Sequence, residues 1–388
     1  MIAGNRPRIL VSIVAAVAVA GLILALIVSK TTQNRPLESA SAVSTPAPRA
    51  FGAASPASTP GISGSIQPFN DAARDLLSAA DANASRKILA KLRAYLLSLP
   101  KSVAVRLIDQ FLNGKRDALT RLQFTIEKNG LLSAAPTLRV FLLDLLAQVD
   151  PQAASQYAMQ ILSTPGSPDE WAISLRNYAL AGPPSATQAF MEAKLAEMLA
   201  NGAWRNDPSV GFLEAFDTAV YTHDTALTPT LSQLMATKDN PAVAHAAYLT
   251  LDRLVISDPA TVLGQLQAQP DLMQGHELTR ADYFARADPG DPQQKAVLES
   301  YLLDPNRSQQ ELNAFAGVYP NENYMISNNL LTQTQTPTYS DIISRDRTAL
   351  SVVQAWMSDP RFQTVQPQLQ TMANRLQMFV SQAAAAAP

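Results

Sequence analysis

Seven Asp-Pro pairs, at Asp150, Asp207, Asp258, Asp288, Asp291, Asp304 and Asp359, constrain this chain more than any other feature. An aspartate can accept hydrogen bonds from the free amides of a helix's first turn, and proline at the first helical position has no amide to leave unsatisfied. Each pair is therefore a candidate helix boundary. Between these boundaries the apolar residues recur at helical spacing: Ile88, Leu92, Tyr95, Leu96 and Leu99 draw one stripe, and Val243, Ala247, Leu251, Leu254 and Val255 draw another. No sustained period-two run of β-branched residues is found, and only 15 glycines occur in 388 residues. The expected fold class is all-α, with helices of roughly 12 to 20 residues joined by short turns.

The helical part, expected over residues 68–380, is too long for one compact core, which favours stacking or subdivision. Divisions near Gly182-Pro183-Pro184 or Asn206-Asp207-Pro208 are candidates. Two segments align on their Asp-Pro. Leu143-Asp144-Leu145-Leu146 leads to Asp150-Pro151, and Leu251-Asp252-Arg253-Leu254 leads to Asp258-Pro259. Both read L-D-x-L-x-x-x-D-P, the end of one helix and the start of the next. This pattern resembles HEAT-type helical repeats over two or three segments, including 242–263. The resemblance implies an α-solenoid or a multi-helix right-handed stack of antiparallel helix pairs, and no particular activity. Two packed helical bundles are the second architecture considered.

Ahead of this body, Ile9 to Val28 holds a single polar side chain, Ser12, and is bracketed by Arg8 and Lys30. At about 1.5 Å per residue the run reaches roughly 30 Å, a bilayer core. It exceeds the apolar core of a cleavable signal peptide and lacks a small-residue cleavage site, so a single-pass transmembrane signal anchor at 9–28 is expected. Residues 1–8, with Arg6 and Arg8, form an expected cytoplasmic N-terminus, which places the body outside the cytoplasm, in the periplasm if the source is a Gram-negative bacterium. Residues 29–67 are rich in Pro, Ser and Ala, as in Ser44-Thr45-Pro46-Ala47-Pro48, and are expected to form a disordered linker. Residues 381–388 read as an Ala-rich tail. The chain has no cysteine, which removes disulfide, thiol and zinc-thiolate chemistry.

The net charge of -2 hides an uneven distribution. Between Asn83 and Gly130 ten basic residues face three acidic ones; beyond Gly130 acidic residues dominate. Arg86, Lys87, Lys91, Arg93, Lys115 and Arg116 are candidate contacts for a membrane surface or an acidic polymer. Nucleic acid is not an expected partner, because the body as a whole is acidic and aromatics do not interleave with the basic residues.

Catalytic signatures are weak. His223, His245 and His276 lack metal-ligand spacing, and no H-E-x-x-H, G-x-S-x-G or phosphate-binding loop occurs. Ser98-Leu99-Pro100-Lys101 matches S-x-x-K by letter, but Pro100 should end the helix between the two residues. Carboxylate pairs such as Glu192 with Glu197, or Asp144 with Asp150, are the basis for an alternative reading as a cell-wall glycan hydrolase. No cofactor or metal is expected. The polar segment from Tyr319 to Tyr339 is unusual: Tyr319, Asn321, Asn323, Tyr324, Asn328 and Tyr339 set flat rings beside amides, a chemistry suited to a binding face. The leading expectation is a membrane-tethered scaffold or interaction module with a protein partner, and the sequence leaves open whether the chain is an enzyme.

Overall fold

A computed structural model describes residues 64–181, 184–238 and 240–386. The expected anchor at 9–28 and nearly all of the expected linker lie outside the described residues. No described helix is long and apolar enough to cross a membrane.

The described chain is all-helical apart from one small sheet. Three helices lead, α1 (Gln67–Leu77), α2 (Ala82–Leu97) and α3 (Lys101–Asn113), followed by the antiparallel strands β1 (Thr125–Ile126) and β2 (Leu132–Ala134). Next come α4 (Leu138–Val149), α5 (Pro151–Leu162), α6 (Pro168–Ala181) and α7 (Pro184–Ala200). Three single-turn helices, α8 (Gly202–Asn206), α9 (Val210–Glu214) and α10 (Asp217–Tyr221), lead to α11 (Thr228–Met235), α12 (Pro241–Ser257), α13 (Pro259–Ala268) and α14 (Glu277–Phe284). The chain closes with α15 (Pro292–Leu302), α16 (Gln309–Val318), α17 (Tyr339–Met357) and α18 (Gln366–Ala386).

The Asp-Pro pairs divide into two groups. Asp150, Asp258, Asp291 and Asp359 cap helices, each accepting first-turn amides such as those of Gln152 and Ala153 on Asp150. Asp207, Asp288 and Asp304 sit in turns instead, because Ser209 and Ser308 cap α9 and α16, and the Asp288 carboxylate takes the amide of Gly290. A serine nearer the helix displaces the aspartate from the capping position.

Two boundaries need correction. Residues 64–67, expected to belong to the linker, are already part of the body: α1 begins at Gln67, and Ser65 exchanges backbone hydrogen bonds with the Tyr95 hydroxyl. Residues 381–386, expected to form a tail, continue α18, as alanine's high helix propensity allows.

Several helices pack on their successor, as α1–α2, α5–α6, α11–α12 and α17–α18 do, and several on the helix after that. Helix α4 contacts α5 and α6, α12 is met by α10 and α11, and the pairs α11–α13, α13–α15, α14–α16 and α16–α18 continue the arrangement. Helix α4 is apolar on nearly every face, with Leu138, Val140, Phe141, Leu142, Leu145 and Leu146 all buried. Such a helix must be covered all round. It is enclosed by α2, α3, β2, α5 and α6. Both apolar stripes read from the sequence face the interior, Leu92, Leu96, Val243, Ala247, Leu251, Leu254 and Val255 being fully buried.

Candidate functional site

The most organised polar feature is a series of buried arginine-carboxylate pairs, each joining one helix to a partner 31 to 36 residues further along. Arg139 at the start of α4 grips Glu170 of α6 with two bonds of 2.8 and 2.9 Å. One turn further on, Asp144 of α4 meets Arg176 of α6 at 2.6 Å, with both side chains 1% exposed. Asp217 of α10 pairs with Arg253 of α12 at 2.7 Å. The adjacent Asp252 takes two bonds, of 2.6 and 2.8 Å, from Arg286 just beyond α14. Arg280 of α14 holds Glu311 of α16 in the same bidentate manner, at 2.7 and 2.6 Å. Asp144 and Asp252 are the aspartates of the two L-D-x-L segments, so the aligned positions perform the same task in both. Buried carboxylates need such partners, since desolvation otherwise drives them to the neutral form.

Across these pairs runs the segment 319–338, which leaves α16, reaches back to the sheet and returns to enter α17. Tyr319 is fully buried, its ring stacked on Phe315 at 5.0 Å. The Asn321 amide donates to Ala285 at 2.7 Å, and Arg286 donates to the Asn321 carbonyl. Tyr324 lies under the Arg286 guanidinium, 5.7 Å from ring centre. At the far point the Asn328 side chain donates to the Ile126 carbonyl of β1 at 3.0 Å, a contact between residues 202 apart in sequence. Leu330 is buried against Gly130, whose positive φ of 77° and bare Cα let the Leu330 carbonyl approach. On the return, the amides of Leu331 and Thr332 both donate to Asp217, at 2.6 and 2.9 Å, and the Thr332 hydroxyl donates to the other oxygen at 2.6 Å. Arg253 completes the cluster by donating to the same hydroxyl.

Beside Asp217 stands Glu214 of α9. Burial, then the neighbouring charge of Asp217, push its carboxyl up to about 7, against the pull of Arg253. Burial also raises Asp252, although Arg286 opposes it, and raises Asp282 in the same manner.

The structure does not bring the six residues predicted as a binding face onto one exposed surface. Tyr319 and Asn321 are buried, so neither offers a surface to a partner. Phe315 lies one helical turn before Tyr319 and draws it into the core. Tyr324 is half-buried under Arg286, and Tyr339 is 50% exposed at the start of α17. Asn323 and Asn328 are exposed, together with two residues not predicted, Met325 at 40% and Ile326 at 78%. Consecutive apolar residues inside a polar run were the available signal.

Of the six basic candidates, Arg86, Lys87, Lys91, Lys115 and Arg116 are exposed. Arg93 is instead committed to the interior side of α2, donating to Gln148 at 3.0 Å and lying over the Phe141 ring. It lines a cavity of about 310 Å³ between α2, the sheet and α4.

The carboxylates considered for hydrolysis do not converge. Glu192 and Glu197, both on α7, take Gln188 and Lys194 as partners; Asp144 is neutralised by Arg176, and Asp150 caps α5. Ser98 bonds the Tyr95 carbonyl, whereas Lys101 opens α3 and pairs with Asp150 at 3.1 Å. His245 stacks on Tyr248, and burial lowers its pKa. Among the described residues no group of three His, Asp or Glu side chains is placed to hold a metal ion. No family model, no curated protein and no solved structure matches this chain.

Proposed function

We propose that this protein is a membrane-tethered α-solenoid, similar in plan to HEAT-type repeats, that acts as a scaffold or interaction module for a protein partner outside the cytoplasm. The observation that carries this reading is the recurrence of buried arginine-carboxylate pairs at intervals of 31 to 36 residues, each linking a helix to the next but one or close to it. In a repeat stack each unit buries its inner face only against its neighbours, and pairs of this kind fix the register of one unit on the next. Stacks of this kind present long surfaces, and a single-pass anchor at 9–28 raises the local concentration of that surface beside membrane complexes.

The partner surface in this reading is the exposed crest of the 319–338 segment: Asn323, Met325, Ile326 and Asn328. Two adjacent apolar side chains rimmed by amides have the composition of an interface centre with a polar edge. Crosslinking in native membranes, followed by purification of the full chain, tests the proposal. A recurrent protein partner supports it, and Met325→Ser with Ile326→Ser should abolish its recovery. Repeated isolation of the chain alone, or full recovery of the partner with the double variant, counts against the reading or against this crest respectively.

A further inference from the structure

The loop between α3 and the sheet holds a leucine outward among cations. Leu119 is 70% exposed, although the loop around it is fixed. The Leu138 amide donates to Ala118, the Thr120 amide donates to Pro136, and Leu119 itself forms an isolated antiparallel bridge with Thr137. On either side stand Lys115 and Arg121, with φ of 53° and 60°, the left-handed backbone that glycine adopts freely and other L-residues seldom do. Lys115, Arg116 and Arg121 are all exposed.

The loop reaches α2 at one point: Leu122 lines the same cavity as Arg86 and Arg93. Three exposed carboxylates stand in this region, Asp81 capping α2, Asp117 accepting the amides of Ala118 and Arg139, and Glu127, against the exposed cations Lys115, Arg116, Arg121 and Lys128 of the loop.

We infer that this loop docks on an anionic phospholipid bilayer, with Leu119 entering the interface and Lys115, Arg116 and Arg121 meeting the head groups. An exposed apolar side chain ringed by lysine and arginine matches the boundary between acyl chains and negatively charged head groups, where each cation near the surface adds attraction that salt screens. The inference rests on the tethered reading, in which the anchor at 9–28 keeps this loop close to its own membrane.

The absence of cysteine makes the test direct, because Leu119→Cys carries the only thiol in the full chain. The variant, labelled with an environment-sensitive fluorophore, is reconstituted into vesicles of phosphatidylcholine alone or mixed with phosphatidylglycerol. The expected result is a blue shift confined to the phosphatidylglycerol vesicles, lost in high salt and lost when Lys115, Arg116 and Arg121 are changed to Glu. Circular dichroism of that triple variant should match the parent, since all three side chains are exposed. Equal emission in both vesicles, or the same shift from a label at Leu278→Cys on α14, would overturn the docking. Retention of the chain on neutral vesicles after an alkaline wash reports the anchor separately: release there refutes the tether while the Leu119 shift is still read.

Discussion

Asp217 and Thr332 lie 115 residues apart in sequence and share two hydrogen bonds: one carboxylate oxygen takes the Thr332 amide at 2.9 Å and the other its hydroxyl at 2.6 Å. The same carboxylate neutralises Arg253. One side chain therefore fastens the 319–338 segment and closes a helix-to-helix link.

Asp217→Ala removes both functions, leaving a largely buried guanidinium and two amides without their acceptor. A loss of about 3 to 5 kcal/mol is expected, as for other broken buried pairs, read as a shift in the urea unfolding midpoint. Thr332→Val, which deletes only the hydroxyl, should lose about 1 to 2 kcal/mol. If the two variants lose the same amount, the arginine link adds nothing.

Stability should fall as pH rises from 4.5 to about 7 through Glu214. Its carboxyl keeps its proton more tightly folded than unfolded, so below the unfolded pKa both states are protonated and no penalty exists. Above the folded value both are ionised, and the buried charge beside Asp217 is fully unfavourable, by up to about 3 kcal/mol. Asp252 and Asp282, also raised by burial, slope the same way. The difference between the parent and Glu214→Gln in unfolding experiments across this range isolates the Glu214 share; parallel curves would refute it.

Gly130→Ala and Gly275→Ala make a controlled pair, since both glycines have φ of 77°. A Cβ at 130 would stand 2.6 Å from the Leu330 carbonyl oxygen, whereas nothing lies within 4 Å of one at 275. The substitution at 275 should lose only the backbone-strain share, about 1 kcal/mol, and that at 130 should lose clearly more, because Leu330 must move. Amide exchange at Leu331 and Thr332 should quicken in Gly130→Ala alone.

Asp144→Leu or Arg176→Met alone should lose about 3 to 5 kcal/mol, each leaving the other charge buried without its partner. Combined, they should lose much less than the sum, which a double-mutant cycle measures directly. Additive losses would mean that the pair is not coupled.

Features fixed by neighbouring residues were legible in the sequence, and those fixed by distant partners were not. Asp150 and Asp258 announced helix starts because a cap uses only the next three amides. The L-D-x-L alignment singled out Asp144 and Asp252, but not Arg176 and Arg286, which complete their chemistry 32 and 34 residues away. Tyr319 was read as a surface ring because asparagines follow it. The spacing Leu312, Phe315, Tyr319 carries the opposite message, an apolar helix face that the tyrosine extends, and burial places it there. The two-stranded sheet escaped notice because strands of two and three residues leave no period to detect.

The crossing of the 319–338 segment bears on how the molecule comes apart. A chain of stacked helices held only by nearest neighbours can fray from either end, one unit at a time. Here Asn328 clasps β1, Thr332 clasps α10, and Asn321 clasps the residues after α14, so pulling on one terminus loads contacts contributed by the other half of the chain. The described helices should yield to force or denaturant in a single event, with rupture of this clasp as the step that releases the rest.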